Sequence, residues 1–189
     1  MTRATPLGTL WVILVFSTGS LSPLVLVSYS DGLGGWITAA GTALFVTFAL
    51  MAVLFWLSEL RAPRLPESLH RLRSWETDEA FARLGVPHFR STLLASPFAG
   101  LNRDLKLDGG GSDLTALYEQ MARAEANHLI AFVATAGLTV VYGVVSDWRL
   151  VPWFIVFNLL GNGYPVLLQR MNRGRVVGIL NRRRARQAS

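Results

Sequence analysis

Residues 151–175 read VPWFIVFNLLGNGYPVLLQRMNRGR. The stretch opens as an apolar run and closes as a basic one. Between the two, Asn158, Asn162, Gln169 and the pair Asn172/Arg173 recur at spacings of about four and seven. On a helix of about 3.6 residues per turn these positions fall along one stripe. A side-chain amide in hydrocarbon is costly unless it finds a partner. The stripe must therefore face other protein or a wet, polar cavity. Tyr164-Pro165 marks a kink, because proline has no N–H to continue the helical ladder.

The rest of the composition agrees with a span. Of 189 residues, 51% are hydrophobic and only 16% charged, against roughly 25% charged in a soluble domain. Mean hydropathy is +0.37. The chain has no cysteine, which excludes disulfides, zinc-thiolate sites and cysteine nucleophiles. His70, His88 and His128 lie in three separate segments and do not suggest a multi-histidine metal centre. The net charge of +6 would suggest nucleic acid in a soluble protein. Here the arginines flank apolar runs, so anionic lipid headgroups and topology account for them, with no nucleic acid as partner.

Working outward, four runs read as spans of a hydrocarbon core of about 30 Å, the third being short and extended by the helical turns before it. They cover about 7–29, 36–60, 127–145 and 151–168. The first carries Ser17, Thr18, Ser20, Ser22 and Pro23 in its middle, which predicts a bent span with a polar side packed on protein. It is longer than the apolar region of a secretory signal and lacks an obvious small-residue cleavage site, so it reads as retained. Segment 61–126 holds most of the charge. Within it, Thr77 to Leu84 predicts a short helix, with Thr77 as N-cap and Gly85 as the stop. The apolar patch from Ser91 to Leu101 is too short to span and predicts an interfacial segment. Gly109-Gly110-Gly111 breaks the chain, and Ser112 or Asp113 can cap a long helix running to Val145. Its first half is amphipathic, with Leu114, Leu117, Met121 and Ala124 on one face.

Lys and Arg sort by loop. One precedes the first run, eight lie in 62–126, seven lie from Arg170 onward and Arg61 ends the second run; the two short loops hold only Arg149. The positive-inside rule then places both termini and the central segment in the cytoplasm. The expectation is an all-α polytopic membrane protein. It is a single membrane domain with four transmembrane helices, an amphipathic interfacial cytoplasmic segment between helices 2 and 3, and a basic tail over 170–189 that meets lipid headgroups.

Glu125 and His128 are spaced i, i+3 and share a helix face at the cytoplasmic border. A carboxylate beside an imidazole fixes its tautomer and raises its basicity, as activation of a hydroxyl requires. The plainer reading is a structural polar pair. Glu125-x-x-His128 is also half of a di-iron helix pattern, but one such pair on a span is a weak signal and no metal site is expected. Gln169, Arg170, Asn172 and Arg173 approach the same border from the fourth span. Arginine there can hold a phosphate or carboxylate bidentately, or can serve as a topology anchor with a salt bridge to Glu125. Asn158 and Asn162 read first as helix glue, with Asn162 also a candidate substrate contact. His88 and Arg90 could contribute to a headgroup site, against the plain reading of a surface helix and turn. The chain contains no G-x-S-x-G, phosphate-loop, dinucleotide or H-E-x-x-H motif.

Taken together, Trp75-Glu76, Glu79-x-Phe81-x-x-Leu84-Gly85-Val86-x-x-Phe89-Arg90, Arg123-Ala124-Glu125-x-x-His128 and Asn162-x-Tyr164-Pro165-Val166-x-Leu168-Gln169-Arg170-x-Asn172-Arg173-x-Arg175 resemble the glycosyl-4,4'-diaponeurosporenoate acyltransferase family, small bacterial membrane proteins of carotenoid biosynthesis. The resemblance covers about residues 55 to 180. It departs from the family pattern at His88-Phe89-Arg90, Leu94 and Met171. It implies esterification of a sugar hydroxyl on a glycosyl carotenoid or related glycolipid with a fatty acyl group. In that reading His128 takes the hydroxyl proton and Glu125 orients it. Arg170, Arg173, Gln169, Asn172, Asn162, His88 and Arg90 contact substrates. No cofactor is needed beyond an acyl thioester co-substrate, and the partners are membrane lipids, the acyl donor and a lipid-linked glycoside acceptor. The implied location is the bacterial inner membrane. The alternative is a non-enzymatic lipid- or carotenoid-binding scaffold.

Overall fold

The computed structural model describes residues 32–60, 66–96, 114–145 and 147–188, and every regular element among them is helical. The expected first span over 7–29, residues 97–101 of the apolar patch, the glycines 109–111 and the caps Ser112 and Asp113 lie outside the described residues.

Helix α1 runs Gly32–Leu60 and α2 Glu67–His70. Helix α3 runs Asp78–Arg83, α4 Val86–Ala95 and α5 Leu114–Val145. Helix α6 runs Leu150–Asn158, followed without a break by a π-helical turn over Leu159–Gly163 and by α7 over Tyr164–Ala188. Among the described residues, three stretches are long and apolar enough to cross a membrane: Gly32–Ser58, Leu114–Val145 and Leu150–Ala188. The predicted spans 127–145 and 151–168 fall inside the second and third, and 36–60 overlaps the first, running two residues past its end. Helix α1 starts four residues before the expected Trp36, with Gly32 at φ +62°. Gly32, Gly34 and Gly35, which lie between the expected first and second runs, are drawn into helix, and Trp36 meets Trp148 edge-on at 5.4 Å.

The kink expected at Tyr164-Pro165 takes the form of the π turn just before it. Pro165 cannot supply an N–H to the carbonyl of Gly161, four residues earlier, and a widened turn is a common way to absorb such a lost bond.

The chain divides into two compact units. One contains α1, α5 from Asn127 onward, α6 and the π turn to Gly163; the other contains α2, α3, α4, α5 as far as Ala126, and α7. In the first unit, Ala39 and Ala43 of α1 are buried against Leu150 and Phe154 of α6. Small residues let two helices approach closely where lipid offers no hydrophobic drive. Gly143 does the same for α5, since a Cβ there would lie 2.9 Å from Val151 Cγ2. Asn127 donates to Ser58 Oγ at 3.0 Å, and Ser58 Oγ donates to the Phe55 carbonyl at 2.7 Å. Val140, Val144, Ile155 and Leu159 are exposed, as suits an exterior that faces lipid tails.

In the second unit the short helix appears as predicted. The Thr77 side chain accepts from the Ala80 N–H at 3.2 Å, and Gly85 turns the chain at φ +73°, a conformation other residues resist. The turn folds α4 back beside α3. Phe81 and Val86 are then buried against Leu168 and Met171 of α7, and Phe89 stacks on Tyr164 at 5.0 Å. Leu114, Leu117 and Met121 of the predicted amphipathic face pack on Val176 of α7, while Ala124 is only half-buried.

Candidate functional site

Among the described residues, the polar stripe contributes to two polar clusters, one in each unit. In the second unit α7 carries Arg170 and Arg173 to a fully buried Glu125. Arg170 Nη1 donates to Glu125 Oε1 at 2.5 Å, and Arg173 Nη1 donates to Glu125 Oε2. Glu76 provides the second carboxylate: it accepts from Arg170 Nε at Oε1, and from Arg170 Nη2 at Oε2 at 2.9 Å. Three further bonds go to backbone, while Arg173 Nε has no partner among the described residues. The carbonyls of Leu69, His70 and Arg71 accept from Arg170 Nη1 at 2.8 Å, Arg173 Nη2 at 2.6 Å and Arg170 Nη2 at 2.9 Å. Leu69 and His70 end α2 and Arg71 follows it, where the end of a helix leaves carbonyl acceptors unfilled. Arg173 also donates to the Tyr118 hydroxyl at 2.8 Å, and its guanidinium lies 4.8 Å from the centre of the Tyr118 ring.

The cluster is balanced at two positive and two negative charges. All five N–H groups of Arg170 are in use. Buried ions are tolerable only when paired and hydrogen-bonded in this way. At Glu76 burial alone would raise the carboxyl's affinity for a proton. The Arg170 hydrogen bond, the Arg73 N–H bond and the charges of Arg170 and Arg173 outweigh it and hold the carboxyl below its ordinary range. The Arg73 N–H approaches Glu76 Oε2 at 2.6 Å.

In the first unit α6, the π turn and α5 form a chain of amides. Asn158 Nδ2 donates to the Phe132 carbonyl at 2.9 Å, Asn162 Nδ2 donates to Asn158 Oδ1 at 2.9 Å, and Asn162 Oδ1 lies 3.5 Å from His128 Nδ1. The Gly161 backbone is a further polar neighbour of the His128 ring. Phe55 of α1 meets that ring in a T-shaped contact at 5.1 Å. Asn158 and Asn162 are both buried.

The residues singled out from sequence are thus distributed. Glu125, Arg170 and Arg173 come together, and Asn162 comes to His128. Both oxygens of Glu125 are taken by guanidinium groups. Gln169 is buried, and its Oε1 has no partner among the described residues. Asn172 is half-buried, and His88 and Arg90 stand exposed on α4. Sequence reasoning missed Glu76 as the second carboxylate, Tyr118, and the α2 carbonyls. The Trp75-Glu76 pair was noticed only as part of a motif. The signal that could have found Glu76 is charge balance, since two arginines on a buried stripe need two carboxylates.

No curated protein and no solved structure matches the chain. A family model does match, over residues 66–182. That range includes both clusters, from Glu76 to Arg173, and well over half of the chain. By that match the protein belongs to the glycosyl-4,4'-diaponeurosporenoate acyltransferase family.

Proposed function

We propose that this protein is a membrane acyltransferase that esterifies a sugar hydroxyl of a lipid-linked glycoside, a glycosyl carotenoid or related glycolipid, with a fatty acyl group from a thioester. The family match over residues 66–182 carries the reading, and the site chemistry fits it. His128 is the one described histidine held on a membrane-spanning helix, with an aromatic contact and a polar partner that hold its ring. In the reaction the sugar oxygen attacks the thioester carbonyl carbon while His128 takes the hydroxyl proton. The tetrahedral intermediate then expels the thiolate, which takes that proton and leaves as thiol. The ester C–O bond forms and the C–S bond breaks, with no oxidant or cofactor.

Arg170 would reach a donor phosphate only by exchanging a carboxylate for it, and Arg173, with Nε as its free donor, is buried. We assign them, with Glu125 and Glu76, to holding their unit together. Gln169 and Asn172 flank that cluster on α7 as candidate hydrogen-bond donors. Exposed His88 and Arg90 remain able to meet an anionic group of a substrate. We place a fourth span over 7–29 and both termini in the cytoplasm of a bacterial inner membrane, on the asymmetry of Lys and Arg between loops.

The neutral, buried ion cluster favours a second reading, a non-enzymatic lipid- or carotenoid-binding scaffold, because such a cluster serves shape rather than turnover. Lipid mass spectrometry of cells with and without the gene separates the two. An acylated glycolipid that vanishes with the gene, and stays absent when a membrane-inserted His128→Ala variant is supplied, supports the enzyme. Full acylation by the His128→Ala variant removes His128 from the chemistry, and an unchanged lipid profile on deletion supports the scaffold.

A further inference from the structure

We propose that Asn158 and Asn162 are positioning residues that hold His128 with its proton on Nδ1 and leave Nε2 as the basic nitrogen. The orientation of a side-chain amide follows from its partners, and here one end of the chain is unambiguous. The Phe132 carbonyl can only accept. The Asn158 group 2.9 Å from it is therefore the NH2. That turns the Asn158 oxygen toward Asn162, so the Asn162 group 2.9 Å away is again the NH2. The Asn162 oxygen is left facing His128 Nδ1 at 3.5 Å. An amide oxygen only accepts, so Nδ1 must carry hydrogen.

The last bond is long, and its value lies in direction rather than strength. A neutral imidazole has one N–H, and the two tautomers present opposite chemistry at Nε2. Turning the ring over would set a C–H against the Asn162 oxygen. The T-shaped Phe55 contact fills one side of the ring and limits such turning. The backbone helps to place the device. Asn162 lies inside the π turn Leu159–Gly163, and the widened turn sets its side chain at an angle an unbroken α-helix would not give. In this way two asparagines otherwise readable as helix glue become an orienting relay, with a backbone carbonyl as its fixed reference.

The competing arrangement places the hydrogen on Nε2, donating to the Gly161 backbone carbonyl, the ring's other polar neighbour. The two arrangements predict opposite spectra. The experiment is 15N NMR of full-length protein labelled at histidine, in lipid nanodiscs, at a pH where the ring is neutral. The His128 signals are identified by their loss in His128→Ala. The expected result is a protonated Nδ1 and an unprotonated Nε2 in the wild type. Asn162→Leu should shift the population toward Nε2–H. Asn158→Ala keeps an amide at 162 but lets it turn over, and should give a mixture; it serves as the second variant if Asn162→Leu does not fold. A wild-type ring protonated at Nε2 overturns the inference, as does an Nδ1–H tautomer unchanged in the folded variants.

The kinetic consequence rests on the acyl-transfer reading, whereas the tautomer does not. With turnover in hand, Asn162→Leu should lower kcat about 10- to 100-fold, less than the roughly 10²–10⁴-fold contribution of a general base itself, and leave KM nearly unchanged. Absence of acyl transfer by the wild type would defeat the enzymatic reading and leave the NMR result to decide the relay.

Discussion

Replacing Glu125 by glutamine tests whether the ion cluster holds its unit together. Glu125 is 0% exposed and bridges Arg170 and Arg173. Glutamine keeps the shape, removes the charge and turns an NH2 toward a guanidinium N–H. The cluster then has two positive charges and one negative. Arg170 retains Glu76 and two carbonyls. Arg173, 1% exposed, retains only the His70 carbonyl and the Tyr118 hydroxyl. Removing one partner of a buried ion pair costs about 3–5 kcal/mol. At 2–4 °C per kcal/mol for a chain of this size, Tm should fall by about 6–20 °C. The assay is thermal unfolding of the purified protein in lipid nanodiscs, read by tryptophan fluorescence, for which Trp75 beside Glu76 is a local reporter. The same substitution in an Arg173→Met background should cost about 1–3 kcal/mol less, because its main unpaired charge is already gone. A Tm change under about 2 °C for Glu125→Gln, or full additivity with Arg173→Met, would refute the reasoning.

Further expectations follow from single positions. Gly85→Ala should destabilise by about 1–2 kcal/mol, the cost of a left-handed backbone in an L-residue. The nearest atom to the added Cβ is Tyr164 Oη at 3.9 Å, so crowding adds nothing; an unchanged Tm would contradict this. Gly143→Ala should cost about 1–3 kcal/mol, because the new Cβ meets the stiff Val151 side chain at 2.9 Å. Gly137→Ala, with open space around it, should be neutral or stabilising, and equal melting shifts for the pair would defeat the close-approach argument. Glu76 should shape the acid limb of stability. Its folded carboxyl is held below the ordinary range, so the stabilisation is present above the unfolded value and is lost as pH falls through the lower folded one. Melting curves across that acid range should flatten in Glu76→Gln relative to wild type, and parallel curves would refute the assignment.

Much of this molecule is legible along one dimension. Span positions follow from apolar runs, because covering hydrocarbon is a matter of length and composition alone. The α3 helix is legible because Thr77 and Gly85 act locally, one as a cap and the other through its backbone. The stripe Asn158, Asn162, Gln169, Arg173 is legible because helical period is a property of spacing, and all four side chains are buried. The start of α1 was not, since the Trp36–Trp148 contact joins residues more than a hundred positions apart.

Who partners whom on the stripe belongs to the tertiary structure. The sequence by itself determined that Glu125 and His128 share a face and that arginines approach on another helix. It could not determine that both Glu125 oxygens go to Arg170 and Arg173, because that depends on Glu76 and the α2 carbonyls arriving from a distant segment to complete the shell. Nor could it assign Asn162 to His128. That pairing requires the π turn before Pro165 and a carbonyl on α5 to orient the amides. Spacing states which polar groups must be satisfied in hydrocarbon; only packing decides by what.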